Sequence, residues 1–298
     1  MRLLDIYSQS PEIGQLSELL GNHPARIRIQ GLVGSLSAVF GASIARLQNQ
    51  KTIVFITGDK EQAFYFCNDM ETLFGENELE LDRKNILLFP ASSRRPYQPD
   101  DTENSNVLLR SEVLNRLNGG RHPVIVTYPD ALSEKVLSSK TLSQNILNIS
   151  TNDKLNIDDV LETLMDFEFN RVDFVVEPGQ FALRGGIIDV FSFANEHPFR
   201  IEFSGDGIES IRSFDPISQL SIQKFDKITV IPNIDRKKSE TSEEKVILLD
   251  YLSDNGIIFT ENLALTAETL QKMTLKMKYM RCSLKKTGQK YLKETKKR

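Results

Sequence analysis

The sequence predicts an α/β protein whose two main parts differ in construction: a parallel sheet flanked by helices, followed by an α+β domain built on an antiparallel sheet. The first observation is that short apolar segments alternate with helical segments up to residue 127, which is typical of βαβ units. The second is that apolar and polar residues alternate singly over residues 199–204. That alternation is typical of a strand with one face in a core and one in water.

The elements of the first part follow in chain order. Residues 1–25 predict a helix and a loop, and the helix at 36–47 carries apolar residues at helical spacing. The apolar strands are continuous, which predicts a parallel sheet covered on both faces. Predicted strands are 26–29, 52–56, 86–90 and 124–127, and predicted helices are 36–47, 60–74 and 105–118.

The pattern changes near residue 135. Residues 142–149 predict an edge strand, and Asn156 is a candidate cap for the next helix. Antiparallel strands then extend to residue 231, with a hairpin signal at Gly205-Asp206-Gly207. The remaining predictions are a polar linker at 235–245, a helix at 246–252, a strand at 256–259 and a long basic helix at 262–292.

Length and composition predict a soluble cytoplasmic protein of two or three domains. The 298 residues contain no apolar stretch near the roughly 20 residues that cross a bilayer, so no membrane association is expected. The two cysteines, Cys67 and Cys282, lie far apart, which favours a reduced compartment over a disulfide scaffold. Cys67 falls in an apolar helical stripe and is predicted to be a packed thiol.

The net charge of −4 is unevenly distributed along the chain. Residues 272–298 contain eleven Lys and Arg and one acidic residue, which leaves the rest of the chain at −14. An acidic body argues against broad, sequence-independent DNA binding by that body. The basic tail is either a nucleic-acid contact or a solvated helix face with a frayed end.

A phosphate-binding loop is expected between the first predicted strand and helix, but its signature is degenerate. The usual loop has the pattern Gly-x-x-x-x-Gly-Lys-Ser/Thr. Aligning Gly31 with its first glycine places Leu36 at the second glycine, Ser37 at the lysine and Ala38 at the magnesium-binding hydroxyl. ATP binding in the usual mode is therefore not expected. The candidate residues of this degenerate nucleotide loop are Gly31, Gly34, Ser35 and Ser37.

No catalytic residue and no metal ligand is predicted. The three histidines each lie beside a proline or a turn residue, with no metal-ligand spacing, and no Gly-x-Ser-x-Gly motif occurs. Asp189 interrupts an apolar strand, where a turn-facing or arginine-paired residue is favoured over a catalytic carboxylate.

The segment 181–191 is the strongest candidate for a binding surface. Arg184 stands before Gly185-Gly186, which permit a sharp entry into the following strand. Arginine and aromatic side chains dominate protein interfaces. The alternative is that Arg184 pairs internally with Glu177 or Asp189. The predicted partner-binding residues are Arg171, Phe181, Arg184, Asp189 and Phe191.

A spaced set of residues gives this segment a family resemblance. The set runs from Arg171-Val172-Asp173-Phe174 through Arg184-Gly185, Asp189, Arg200-Ile201-Glu202-Phe203, Gly205-Asp206, Ile208-Glu209, Ile211-Arg212 and Asp215. It resembles one small domain shared by the excinuclease protein UvrB and the bacterial transcription-repair coupling factor. In both families that domain docks the excinuclease protein UvrA. The arginine that UvrB carries two positions before its Arg-Gly is replaced here by Ala182, so part of the contact is expected to differ.

Two departures favour the coupling factor over UvrB. UvrB needs the phosphate-loop lysine, which is missing here, and the coupling factor keeps a degenerate copy of that domain. UvrB also carries a long aromatic hairpin, and this chain has only the short segment 90–100 at that place. The alternative functions are a UvrB-like DNA-binding ATPase and, less favoured, an unrelated metabolic α/β enzyme.

The resemblance implies an N-terminal module with three parts. These are a degenerate P-loop-type α/β domain at 1–134, an inserted docking domain at 135–233, and a linker with a returning segment at 234–298. The parent family binds stalled RNA polymerase and translocates on DNA with ATP and Mg through parts that this sequence lacks. The chain is therefore expected to be a fragment that acts by binding alone, with no cofactor of its own.

Overall fold

The computed structural model describes residues 3–22, 26–92, 103–151, 153–205, 207–234, 245–252 and 256–272. The helices are α1 (Leu3–Tyr7), α2 (Pro11–Asn22), α3 (Leu36–Leu47), α4 (Lys60–Phe74), α5 (Glu103–Asn118), α6 (Pro129–Ser133), α7 (Ser139–Gln144), α8 (Ile157–Asp166) and α9 (263–272). Short 3-10 helices lie at Leu81–Arg83 and Leu248–Tyr251.

The strands divide between two large sheets and two small ones. They are β1 (Ile53–Ile56), β2 (Ile86–Leu88), β3 (Val124–Thr127), β4 (Val136–Leu137), β5 (Leu147–Ser150), β6 (Asn170–Arg171), β7 (Gln180–Arg184), β8 (Ile187–Val190), β9 (Phe199–Ser204), β10 (Gly207–Phe214), β11 (Ser221–Phe225), β12 (Lys227–Val230), β13 (Lys245–Val246) and β14 (Ile257–Thr260).

The first large sheet is parallel, as predicted, with strand order β14-β1-β3-β2. Three of its strands, β1, β2 and β3, are buried along their whole length, and helices α4 and α5 pack against β2. The strand predicted at 256–259 also joins this sheet, since β14 pairs with β1 in parallel. The chain therefore returns to its first domain after the antiparallel domain.

The strand predicted at 26–29 is wrong. These residues are exposed and form no strand, although Ile27 and Ile29 alternate with two arginines. Both sides of β1 are already occupied, by β3 and by β14. The outer edges of β14 and β2 have no partner among the described strands, yet residues 26–29 pair with neither, so local alternation alone does not make a strand.

Three other boundaries differ from the sequence prediction. Residues 139–144 form helix α7, whose cap Ser138 accepts the Thr141 N–H, so the edge strand begins only at Leu147. The helix predicted at 246–252 is instead the end of strand β13 followed by a 3-10 helix. Of the long helix predicted at 262–292, residues 263–272 are helical and the remainder lies outside the described residues.

The second large sheet has six strands in the order β11-β10-β9-β8-β7-β6. All neighbouring pairs are antiparallel except β6 with β7. The hairpin predicted at residues 205–207 is confirmed, since Ser204 faces Gly207 across the turn between β9 and β10. The fold class predicted from the sequence, a parallel-sheet domain with an inserted antiparallel domain, is thus confirmed.

This six-stranded sheet has two unlike faces. The inner face joins the main hydrophobic core, which is continuous with the core of the parallel sheet. Its buried side chains are Phe181, Ile188, Val190, Phe199, Ile201 and Ile211. The outer face carries charged side chains and a small separate apolar cluster.

The predicted domain boundary at 135 stays a prediction, but the contacts of residues 136–144 favour a later one. β4 pairs with β13, and the Tyr251 hydroxyl donates to the Leu137 carbonyl at 2.5 Å. The hydroxyls of Ser139 and Ser143 both donate to the Asn118 side chain at the end of α5. These bonds hold the segment to elements outside the six-stranded sheet.

We expect residues 146–234, produced alone, to unfold in one cooperative transition. The six-stranded sheet pairs within this range, which also contains helix α8 with its buried Val160, Leu161 and Leu164. Adding residues 135–145 should leave the Tm unchanged, because their hydrogen bonds go elsewhere. Thermal unfolding followed by circular dichroism tests this, and a curve without a transition for 146–234 would contradict it.

We expect Gly179→Ala to lower the free energy of unfolding by about 2 kcal/mol or more. Gly179 has φ +84, and an added Cβ would lie 2.5 Å from the Phe193 ring. The control is Gly14→Ala in the middle of α2, where nothing lies within 4 Å; it should add about 0.5–1 kcal/mol. Urea unfolding measures both, and a Gly179→Ala variant as stable as the parent would refute this packing.

Candidate partner-docking surface

A tight hairpin positions Arg184 at the end of a strand. β7 and β8 are joined by Gly185-Gly186 alone, and Arg184 faces Ile187 across the turn. Gly185 has φ +61, and a Cβ on Gly186 would come within 3.1 Å of the Phe203 carbonyl. The sequence therefore needs both glycines here, as predicted, and the turn sets Arg184 on the outer face of the sheet.

The centre of this outer face is a buried carboxylate held by two arginines. Asp189 is 1% exposed and faces Arg200 on the neighbouring strand. Arg200 donates to the two Asp189 oxygens from Nε at 2.7 Å and from Nη2 at 2.8 Å, and Arg184 forms an ion pair with the same carboxylate. The hydrogen bond to Asp189 raises the pKa of Arg200. Asp189 is thus an arginine-paired residue.

The sequence left open whether Arg184 binds a partner or pairs internally with Glu177 or Asp189. Of the two internal partners considered, Asp189 is the one that it pairs with. The side chain of Arg184 nevertheless remains 39% exposed, and its guanidinium lies over the exposed Phe174 ring at 5.3 Å. A carboxylate on one side and a ring on the other fix the direction of the guanidinium while part of it faces solvent.

A small apolar cluster lies beneath the charged residues. It consists of Val175, Ala182, Phe191 and Phe214. The Arg200 guanidinium stacks on Phe214 at 4.3 Å. Val175 lies in the loop after β6, and Phe214 ends β10. The cluster therefore holds the loop between β6 and β7 and the start of the loop between β10 and β11.

Three of the predicted partner-binding residues are buried and do not reach the surface. Phe181 is 1% exposed and belongs to the inner face of the sheet, because side chains three positions apart on a strand point in opposite directions. Phe191 and Asp189 are buried on the outer side. The prediction that these three contact a partner directly is corrected: they support the residues that lie above them.

Arg171 and Arg184 are the predicted site residues that the structure leaves accessible. Arg171 is exposed on β6, at the edge of the same sheet. Within the described part of the chain it makes no ion pair. β6 and β7 are neighbours, and Arg171 is the register partner of Phe181. Paired residues of a sheet point to the same side, so Arg171 points to the side opposite Arg184.

An open depression of about 410 Å³ lies on this outer face. The residues that line it are Phe174, Arg184, Ile187, Arg200, Arg212 and Gln219. Arg212 is paired with Glu202, so three arginines face two carboxylates here. Among the lining residues Phe174 is 61% exposed, and Ile217, two positions before Gln219 in the chain, is 91% exposed.

Sequence reasoning misses several residues of this surface. Alternation places Arg200 and Glu202 on the polar face of β9, but their partners depend on strand register. Register also determines the position of Arg212 beside Arg200. Nothing local signals Gln219, which reaches Arg200 from a loop.

The predicted nucleotide-loop residues lie together at the start of α3. Gly31, Gly34 and Ser35 are exposed, and the Ser37 hydroxyl donates to the Gly34 carbonyl at 3.1 Å. The N–H groups of residues 36–39 donate to carbonyls of residues 33–35. A phosphate-binding loop leaves such N–H groups free to bind oxygen atoms of the nucleotide, so this arrangement is unlike one.

The described residues were also compared with the features of metal sites, reactive thiols and membrane helices. No group of three or more His, Cys, Asp or Glu among them is arranged to hold a metal ion. Burial raises the pKa of Cys67 to about 12, which agrees with the predicted packed thiol. None of the described helices combines the length and apolar character needed to cross a membrane.

Comparison with known proteins identifies the domain that carries the depression. Residues 147–235 match the family described as the UvrB interaction domain. The chain is 29% identical over 204 residues to the transcription-repair-coupling factor of Bacillus subtilis, which is 68% of this chain and 17% of that protein. It is 30% identical over 210 residues to that of Myxococcus xanthus, covering 70% and 17%.

The UvrABC system protein B of Streptococcus suis is also similar, at 25% identity over 243 residues, which is 78% of this chain and 36% of that protein. The chain thus spans about a sixth of the length of the coupling factors that it matches. These findings confirm the family resemblance seen in the sequence: the chain is a UvrB-like module similar to the N-terminal part of transcription-repair-coupling factors, with a UvrB interaction domain at residues 147–235.

Proposed function

We propose that this chain recruits the nucleotide excision repair machinery by docking the excinuclease protein UvrA on the outer face of the six-stranded sheet. The observation that carries the proposal is the half-exposed Arg184, held by Asp189 and Phe174 inside the matched UvrB interaction domain. A fixed guanidinium loses little side-chain entropy when it meets a partner carboxylate.

The charges of the depression favour an acidic partner surface. Arg200 satisfies Asp189 through two hydrogen bonds, so Arg184 keeps donors for a further acceptor. Three arginines against two carboxylates leave a net positive charge at the depression. Complementary charge of this kind speeds encounter and fixes the orientation of the complex.

The parent protein of this module is proposed to be an ATP-dependent DNA translocase that acts on stalled RNA polymerase in the cytoplasm. Its motor, its DNA contacts and its polymerase contacts belong to parts outside this sequence. Within such a protein, the role proposed for this chain is to bind UvrA and so bring repair to the stalled polymerase. No cofactor is proposed for the chain itself.

The second candidate is a UvrB-like DNA-binding ATPase, and the match to a UvrABC system protein B favours it. Leu36, Ser37 and Ala38 oppose it, because they replace the second glycine, the lysine and the magnesium ligand. The bonded N–H groups at the start of α3 oppose it as well. The coupling-factor module therefore remains the better-supported proposal.

We expect Arg184→Gln to weaken binding to UvrA by tenfold or more. The variant loses the charge that meets the partner carboxylate, and losing one member of an interfacial charge pair costs about 2–5 kcal/mol. The fold should lose less than about 1 kcal/mol, because Asp189 keeps both bonds from Arg200. Calorimetric titration and thermal unfolding on one preparation measure the two effects.

Charge-reversal variants separate the effect on binding from the effect on stability. Arg184→Glu should abolish binding but also lower the Tm, because it places a second carboxylate beside the buried Asp189. Arg171→Glu should weaken binding less than Arg184→Glu and leave the Tm unchanged, because Arg171 is exposed but points to the side of the sheet opposite Arg184. Lys227→Glu, an exposed charge on a different sheet, is the matched control. Normal binding by folded Arg184→Gln would overturn the proposed surface.

We expect no binding of Mg-ATP by this chain. The missing lysine and hydroxyl leave neither a charge for the phosphates nor a ligand for the metal. Calorimetric titration with millimolar nucleotide should give no heat beyond dilution. A dissociation constant near 1 μM, about −8 kcal/mol, would instead favour the ATPase candidate.

A further inference from the structure

The loop at residues 215–220 exposes two large apolar side chains beside the depression. Ile217 is 91% exposed and Leu220 69% exposed, more than any other large apolar residue described in this sheet domain. Single exposed apolar residues are ordinary, but a pair on one short loop indicates a contact surface.

The loop is held closed by its own hydrogen bonds. The Asp215 carboxylate accepts the N–H groups of Ile217 at 3.2 Å and Ser218 at 2.6 Å. The Asp215 N–H donates to the Leu220 carbonyl, and the Asp215 carbonyl accepts the Gln219 N–H. These two backbone bonds close the turn. Ile217 is therefore presented on a preorganised loop, which reduces the entropy lost on binding.

Gln219 connects this loop to the arginines of the depression. It is in the left-handed region with φ +61, a conformation that costs energy for any residue except glycine. Its side-chain oxygen accepts from Arg200 Nη2 at 3.0 Å, and its side-chain nitrogen donates to the Pro216 carbonyl at 2.8 Å. A glycine would avoid the backbone cost but would lose both bonds.

We propose that loop 215–220 is a second contact for UvrA, with Ile217 and Leu220 entering an apolar recess of the partner next to the carboxylate that meets Arg184. Gln219 is the positioning residue that sets this loop relative to Arg200. The inference rests on the proposed function. The same partner is assigned to both contacts because Gln219 lines the depression together with Arg184 and Phe174.

The loop thereby adds an apolar contact to a surface whose centre is charged. Arginines fix the orientation of a complex, whereas burial of apolar area supplies much of its affinity. Phe174 offers further exposed apolar surface at the same depression. A partner that fits must therefore combine a carboxylate with apolar surface beside it, which is more selective than acidity alone.

The first experiment measures the affinity of the whole chain for purified UvrA. Ile217→Ser should weaken binding about tenfold, which corresponds to losing the burial of one aliphatic side chain. Its Tm should be unchanged, because the side chain is almost fully exposed in the free protein. Val33→Ser, an exposed apolar residue at the other end of the chain, is the control and should bind normally.

The second experiment tests the positioning role of Gln219. Gln219→Gly should weaken binding about fivefold with little change in Tm, since the relief of backbone strain offsets the two lost hydrogen bonds. A purely structural role predicts normal binding. In the Ile217→Ser background, Gln219→Gly should have much less effect on binding, because its role is to place that side chain. Full additivity of the two effects would overturn the positioning role.

The outcomes separate this inference from the proposed function. If the unaltered chain fails to bind UvrA, the proposed function fails and the loop contact fails with it. If Arg184→Gln weakens binding while Ile217→Ser and Gln219→Gly bind normally, only the loop contact is overturned. Sedimentation of the free chain tests whether the loop mediates self-association. If the chain is a dimer that Ile217→Ser converts to a monomer, with unchanged affinity for UvrA, the loop contact is overturned.

Discussion

The outer face of the six-stranded sheet depends on one buried ion pair, between Asp189 and Arg200. A carboxylate that is 1% exposed would be strongly destabilising without a partner, and Arg200 supplies two hydrogen bonds across adjacent strands. The same guanidinium stacks on Phe214 and bonds to Gln219. One residue pair therefore links the sheet, the cluster beneath it and a surface loop, and it leaves Arg184 as the more accessible partner of Asp189.

The two faces of this sheet explain why a charged surface can be held so firmly. The inner face is continuous with the core of the parallel domain, which fixes the strands and their register. The outer face has only a small apolar cluster, and its remaining positions carry paired charges. Polar networks specify geometry well when every member is satisfied, and here most members are bonded across strands.

The sequence predicts the local elements better than the assembled surface. Apolar continuity identifies the parallel strands, and Gly185-Gly186 identifies the hairpin that places Arg184. The error at Phe181 was avoidable, because its spacing from Arg184 along one strand already implies opposite faces. The roles of Arg200 and Gln219 were not predictable, since they depend on strand register and on a loop conformation with positive φ. The strand predicted at 26–29 failed because pairing, not local alternation, decides whether a segment joins a sheet.

The parallel domain is best understood as a support for the antiparallel one. At the start of α3, where a related nucleotide-binding domain would hold phosphate, the N–H groups are used within the turn and no lysine is present. What the domain does supply is contact: its core merges with the inner face of the six-stranded sheet, and Arg83 donates to Gln223 on β11 at 2.9 Å. β14 returns to it after the insertion, so both ends of the docking domain are anchored in one sheet domain. Such an anchor restricts the orientation of the outer face relative to any longer protein in which the module resides.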